Sequence, residues 1–174
     1  MKNKIICIGN RFVENDCAGI KVYEYLLEKR LPDNTELIEG GIAGLNLLPF
    51  LEDASTVVFV DSISGFSGKP SSLTPHEHHH KNGECICKYN KDIVVLKEED
   101  IKQELNDPHY GHHSGVAYLL TIFSNIYRKE HNCNFFLVGL EGECCKKKIE
   151  EAAKKAILII NKLHKNSKST PMII

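Results

Sequence analysis

The run Thr56–Val60, TVVFV, is apolar at every position after its threonine, with no alternation of apolar and polar residues. A strand with one wet face alternates. One that does not is covered on both faces, as in a parallel sheet between two helical layers. Lys4–Ile8 (KIICI) and Asn134–Val138 (NFFLV) read the same way, and Thr35–Ile38 (TELI) and Asp92–Leu96 (DIVVL) supply a second and a fourth strand. Between them, Ala18–Lys29 carries Val22, Tyr23, Leu26 and Leu27 on one helical stripe, and Ala43–Leu51 forms a short helix. Val116, Leu119, Leu120, Phe123 and Tyr127 recur at helical spacing, and a last helix over about Lys146–Lys165 buries Ile149, Ala153, Ala156, Ile157 and Ile160. No helical period intervenes between Ser62 and Tyr89, and a parallel crossover normally needs a helix, so the fourth strand is expected to run antiparallel. The order β-α-β-α-β-β-α-β-α predicts an α/β fold: a three-layer α/β/α domain with a mixed, mostly parallel five-stranded sheet. Residues 1–166 form one domain in this reading, and 167–174 a fraying tail.

At 174 residues the chain is long enough to bury a core without staples. With 22 Lys+Arg against 23 Asp+Glu, no net field draws it to nucleic acid or an anionic membrane. No apolar stretch approaches the roughly 20 residues of a membrane span, and no secretory leader is legible after Met1. The seven cysteines are scattered, with Cys144 and Cys145 adjacent and Cys85 one residue from Cys87. That is poor spacing for a disulfide framework and points to reduced thiols and a cytoplasmic setting.

In such sheets, ligands gather beyond the carboxyl ends of the strands where the winding reverses. Two acidic features belong there: the loop Glu14-Asn15-Asp16-Cys17 after strand one, and Asp61 closing strand three. A third, Gly111-His112-His113-Ser114-Gly115, immediately precedes the helix beginning near Val116. Asp16, Asp61 and an imidazole form an O,O,N set that suits a divalent transition metal with open positions, or acid–base chemistry without one. The competing role for Asp16 is capping of the first helix. A dinucleotide or phosphate loop is excluded: Gly9 lacks the further glycines of G-x-G-x-x-G, and Glu14 and Asp16 oppose a pyrophosphate.

The ordered series of motifs resembles the hydrogenase maturation proteases. It begins with Gly9-Asn10 followed by Asn15-Asp16-Cys17-Ala18-Gly19, then Glu39-Gly40-Gly41-Ile42-Ala43-Gly44 and Leu47-Leu48. Next come the strand VVFVDSI ending in Asp61, His112-His113-Ser114-Gly115, and Val138-Gly139. The resemblance implies a phosphorylase/hydrolase-like fold. It also implies an endopeptidase that removes the C-terminal extension of a nickel–iron hydrogenase large-subunit precursor after nickel insertion. On that analogy the precursor's nickel is met by Asp16, Asp61 and His112, and catalysis involves Asp16 and Glu39. Gly40, Gly41 and Gly44 line the substrate segment. Nickel is then carried by the substrate and not resident, the partner is the precursor, and the enzyme is expected to be a monomer.

Departures from the family pattern are Asn15 in place of the first acid of the turn, Cys17 for a small residue, and Glu39 for Asp. Ser71–Cys87, SSLTPHEHHHKNGECIC, reads as an insertion without helical or strand period. Its His76, His78, His79 and His80 are candidate accessory metal ligands, although HEHHH lacks the paired spacing of structural zinc sites. The alternative function is therefore a non-catalytic metal-handling module in hydrogenase assembly on the same fold. A small-molecule hydrolase or phosphorylase is weaker, because no basic anion site is present.

Overall fold

The computed structural model describes residues 2–42, 44–64, 80–81, 84–85, 93–104, 114–127 and 132–168. Alternation along the strands sets the layers. In β1 (Lys2–Ile8), Ile5 and Cys7 point into one core while Ile6 and Ile8 point into another. The same split recurs in β3 (Ala54–Ile63), where Val58 and Val60 oppose Val57 and Phe59. One core is closed by α1 (Ala18–Leu27) and α5 (Lys146–Lys168), through small residues Ala18, Ala152, Ala153 and Ala156 that bring the helices close to the sheet. The other is closed by α2 (Leu48–Leu51), α3 (Glu98–Glu104) and α4 (Ser114–Tyr127), whose Leu119, Leu120 and Phe123 are buried. Burying both faces of β1 and β3 explains why those runs show no polar alternation.

The sheet order is β2-β1-β3-β7-β6, with β2 at Thr35–Gly41, β7 at Asn134–Glu141 and β6 at Ile93–Lys97. Strands β2, β1, β3 and β7 are parallel and β6 is antiparallel to β7. The three-layer, mixed five-stranded architecture expected from the sequence is therefore present. The winding reverses between β1 and β3, because the chain leaves β1 for β2 on one side and returns to β3 on the other.

Several boundaries differ from the sequence reading. Strand β2 runs on through Gly40 to Gly41, because a bulge between Cys7 and Ile8 absorbs Gly40 and keeps the ladder going. The expected helix over Ala43–Leu51 is a 3₁₀ turn at Leu45–Leu47 followed by the single turn of α2; Ala43 lies outside the described residues. Helix α3 has no counterpart in the sequence reading, since Ile101 is a buried anchor among six polar neighbours and leaves no apolar period. Helix α5 extends to Lys168, into the region read as tail. Within the segment read as without strand period, β4 (His80–Lys81) and β5 (Glu84–Cys85) form a two-stranded antiparallel ribbon. Among the described residues no helix is long and apolar enough to cross a membrane.

Gly19 sets how closely α1 approaches the sheet. A Cβ there would lie 1.9 Å from the Ile8 carbonyl oxygen and 2.6 Å from that of Val60. Helix α1 thus starts directly on the carboxyl ends of β1 and β3, at the switch point. Only glycine permits that approach.

Candidate functional site

The turn joining β1 to α1 is built by backbone bonds. Asn10 N–H donates to the Asp16 carbonyl (2.7 Å), and Asp16 N–H donates to Val13 (2.9 Å), closing a short 3₁₀ turn at Glu14–Asp16. Gly9, at φ +153°, faces the Asp16 carbonyl so closely that a Cβ would stand 2.4 Å from that oxygen. Its own N–H donates to Gly41 at 2.7 Å, which ties the ends of β1 and β2 together. Asp16 does not cap α1 in the way the alternative reading supposed. The N-cap position is Cys17, without a side-chain cap bond, and Ala18 N–H points instead to Ser62 Oγ at 3.4 Å.

Asp61 lies near the end of β3 opposite Gly139 of β7, and is 8% exposed. Phe59 and Ile63 lie in the core beneath α2 and α4, so strand alternation directs Asp61 to the same face. Its Oδ1 accepts a 2.7 Å bond from Ser62 N–H. Its carboxyl is raised to about 7, chiefly by burial, with the Ser62 bond opposing the rise and the Asp16 charge adding to it. The fold has therefore brought together two of the acids singled out from the sequence, and they repel. Such a pair is relieved by a proton or by a cation.

Glu39 sits on the other side of β1, in register with Cys7, which also pairs with Val60 beside Asp61. With strands about 4.8 Å apart, the Glu39 and Asp61 backbones are about 10 Å from each other across β1. Burial, then Glu39 and then Asp61, drive the Cys7 thiol far above its ordinary value, so both acids act on one buried strand end. Glu39 is engaged by Arg11, whose guanidinium stands 3.0 Å from its Oε1 and 2.6 Å from Glu24. Arg11 was not anticipated from the sequence. It lies 28 residues from Glu39 and 13 from Glu24, and no local pattern marks it.

Of the glycines expected to line a substrate segment, Gly40 packs on Ile6 and Ile8, while Gly41 and Gly44 have open space where a side chain would be. His112 lies outside the described residues, as do His76, His78 and His79; His80 is described only as a strand residue of the ribbon. Among the described residues no cluster of three or more His, Cys, Asp or Glu side chains is arranged to hold a metal.

On the β7 side of the acids, a groove of about 480 Å³ lies between Glu14, Asn15, Ala18 and Lys21 and the loop from Gly142 to Cys145. Lys148, 2% exposed, holds that loop by donating to the carbonyls of Glu141 and Glu143. A run of three lysines, Lys146-Lys147-Lys148, would by charge alone form a solvated face, yet Lys148 turns inward.

No family model matches the chain. Its sequence is 36% identical over 70 residues to the hydrogenase expression/formation protein HupD of Rhodobacter capsulatus, a match covering 40% of this chain and 33% of that protein. It is 26% identical over 122 residues to the hydrogenase 2 maturation protease of Escherichia coli, covering 70% and 62% respectively. The chain thus spans one third and about three fifths of the length of these curated relatives. Its fold superposes on the hydrogenase maturating endopeptidase HybD of Escherichia coli with a TM-score of 0.64 at 19% identity, over 96% of this chain and 94% of that one. The NiFe hydrogenase maturation protease HybD of Thermococcus kodakarensis gives 0.60 at 19% identity, over 94% and 99%. The chain is similar in sequence, over part of its length, to hydrogenase maturation proteins. The superpositions extend the likeness in fold over nearly the whole chain.

Proposed function

We propose that the protein is an endopeptidase that removes the C-terminal extension of a nickel–iron hydrogenase large-subunit precursor after nickel insertion. The observation that supports this reading best is that Asp16, on the turn after β1, lies within electrostatic reach of buried Asp61 near the end of β3. Two like charges held together at the mouth of a sheet are suited to a cation delivered by another molecule. In this reading Asp16 and Asp61, with His112, meet the nickel carried by the precursor, which polarises the scissile carbonyl or activates a water. That water adds to the carbonyl carbon, its proton passes to a carboxylate, and the C–N bond breaks as the leaving amine is protonated. Asp16 and Glu39 are the candidate bases. The Arg11 pairing favours Asp16 as the base and gives Glu39 the role of fixing the turn. Gly41 and Gly44 leave room for a substrate backbone beside these acids. The enzyme is proposed to act in the cytoplasm as a monomer.

The test is incubation of the purified protein with nickel-loaded precursor, followed by intact-mass measurement of the large subunit. The expected result is loss of a short C-terminal peptide, abolished by Asp16→Asn and strongly reduced by Glu39→Gln. An unchanged precursor mass with wild-type protein overturns the proposal. If Asp16→Asn cleaves like wild type, its role as ligand and base is wrong.

A further inference from the structure

Phe12 is 95% exposed and Ile42 77%, with Leu45 and Val13 each nearly half exposed. Phe12 and Val13 stand on the turn that carries Asp16, while Ile42 and Leu45 follow the end of β2, joined to that turn by the Gly9–Gly41 bond and the Arg11–Glu39 ion pair. These apolar side chains are therefore grouped on two adjoining loops at the edge of the sheet that holds the acids.

Their exposure does not come from a slack turn. Phe12 N–H donates to Asn10 Oδ1 at 3.0 Å and Val13 N–H to the Asn10 carbonyl at 3.2 Å. Arg11 is clamped from both sides by Glu24 and Glu39. The backbone thus presents a large aromatic ring to water on a fixed support. Exposed apolar groups that are held in place and ringed by polar ones mark interaction surfaces, and preorganisation lowers the entropy lost on binding.

The neighbouring charges identify the occupant. Glu14 and Asp16 share the turn of Phe12 and Val13, and Arg11 on that turn ties in Glu39 and Glu24, so four acids stand beside one base although the whole chain carries a formal charge of only −1. Two copies meeting through this surface would set acid against acid, which disfavours self-association. We infer that Phe12, Val13, Ile42 and Leu45 form the docking surface for an apolar segment of the hydrogenase precursor flanked by lysine or arginine side chains. This rests on the proposed endopeptidase function and adds the chemistry by which the precursor is seized. Docking there delivers the partner's chain to Asp16, since Phe12 and Asp16 share one turn.

The experiment compares wild type with the double variant Phe12→Ser/Ile42→Ser on nickel-loaded precursor. Expected is a KM raised at least about tenfold with kcat at saturation close to wild type, and a thermal midpoint unchanged because both side chains are exposed. Wild-type KM should also rise with added salt. Leu158→Ser serves as control: Leu158 is 54% exposed on α5, about 18 Å along the helix from Lys146 by its rise per residue, and should leave KM unaltered. An unchanged KM in the double variant, or a fall in kcat alone, overturns the docking surface while the endopeptidase reading stands. If wild type cleaves nothing, the endopeptidase reading fails, and affinity for immobilised precursor decides docking separately: equal affinity of wild type and double variant overturns it. A wild-type dimer in sedimentation that the double variant abolishes also overturns it, by assigning the patch to a second copy.

Discussion

Replacing Asp61 by asparagine is expected to stabilise the metal-free protein above neutral pH while removing the activity. Asparagine keeps the acceptor for the Ser62 N–H (2.7 Å) and discards the charge that burial and Asp16 oppose. The carboxyl is raised from 3.8 to about 7 in the folded state. Folded protein therefore holds this proton where the unfolded chain has released it. The stability that Asp61 contributes is fully present below about pH 4 and is lost as pH rises through about 7. Three pKa units correspond to about 4 kcal/mol, and relaxation around a buried carboxylate reduces this, so we expect a change of about 2–4 kcal/mol in the difference between variant and wild type. Urea unfolding with chelator present, repeated from pH 4 to 8.5, measures it. Asp61→Asn should gain on wild type through the window and be the more stable protein at its upper end. A difference independent of pH would refute the reasoning. Destabilisation throughout would show instead that the carboxylate is needed to hold β3 in place. A site that is costly to fold unliganded is what a carboxylate pair awaiting a cation should display.

Gly19→Ala should cost about 3 kcal/mol or more, because its Cβ meets the backbone oxygens of Ile8 and Val60, which cannot swing aside; a urea midpoint equal to wild type would refute this. Lys148→Met keeps the buried stem but strands the carbonyls of Glu141 and Glu143, and should cost about 1–3 kcal/mol, with faster amide exchange in the loop at Gly142–Cys145 as the local readout. Arg11→Ala should leave the thermal midpoint close to wild type, since its ion pairs are exposed, yet reduce precursor cleavage by freeing the turn that bears Phe12 and Asp16. Full activity in that variant would separate the clamp from the site.

The layering was legible along the chain alone. KIICI, TVVFV and NFFLV are apolar on both faces, so helices had to cover them twice, and the absence of a helical period before Ile93 foretold a strand of opposite direction. The acids Asp16 and Asp61 were also legible, because a carboxylate ending an apolar strand or crowding a turn is chemically conspicuous. Helix α3 was not, since a single buried anchor, Ile101, leaves no period to detect. Nor was the continuation of β2 through Gly40-Gly41, where a bulge at Gly40, defined only by pairing with β1, keeps the ladder intact. The tertiary structure alone decided which charges meet. Arg11 reaches Glu39 and Glu24 from distant positions, Lys148 turns inward from a lysine run, and Asp16 comes within electrostatic reach of Asp61 where Gly19 lets α1 settle on the ends of β1 and β3. Apolar periodicity is a property of neighbours along the chain. Electrostatic coupling depends on distance in space, which only strand order and helix approach can set.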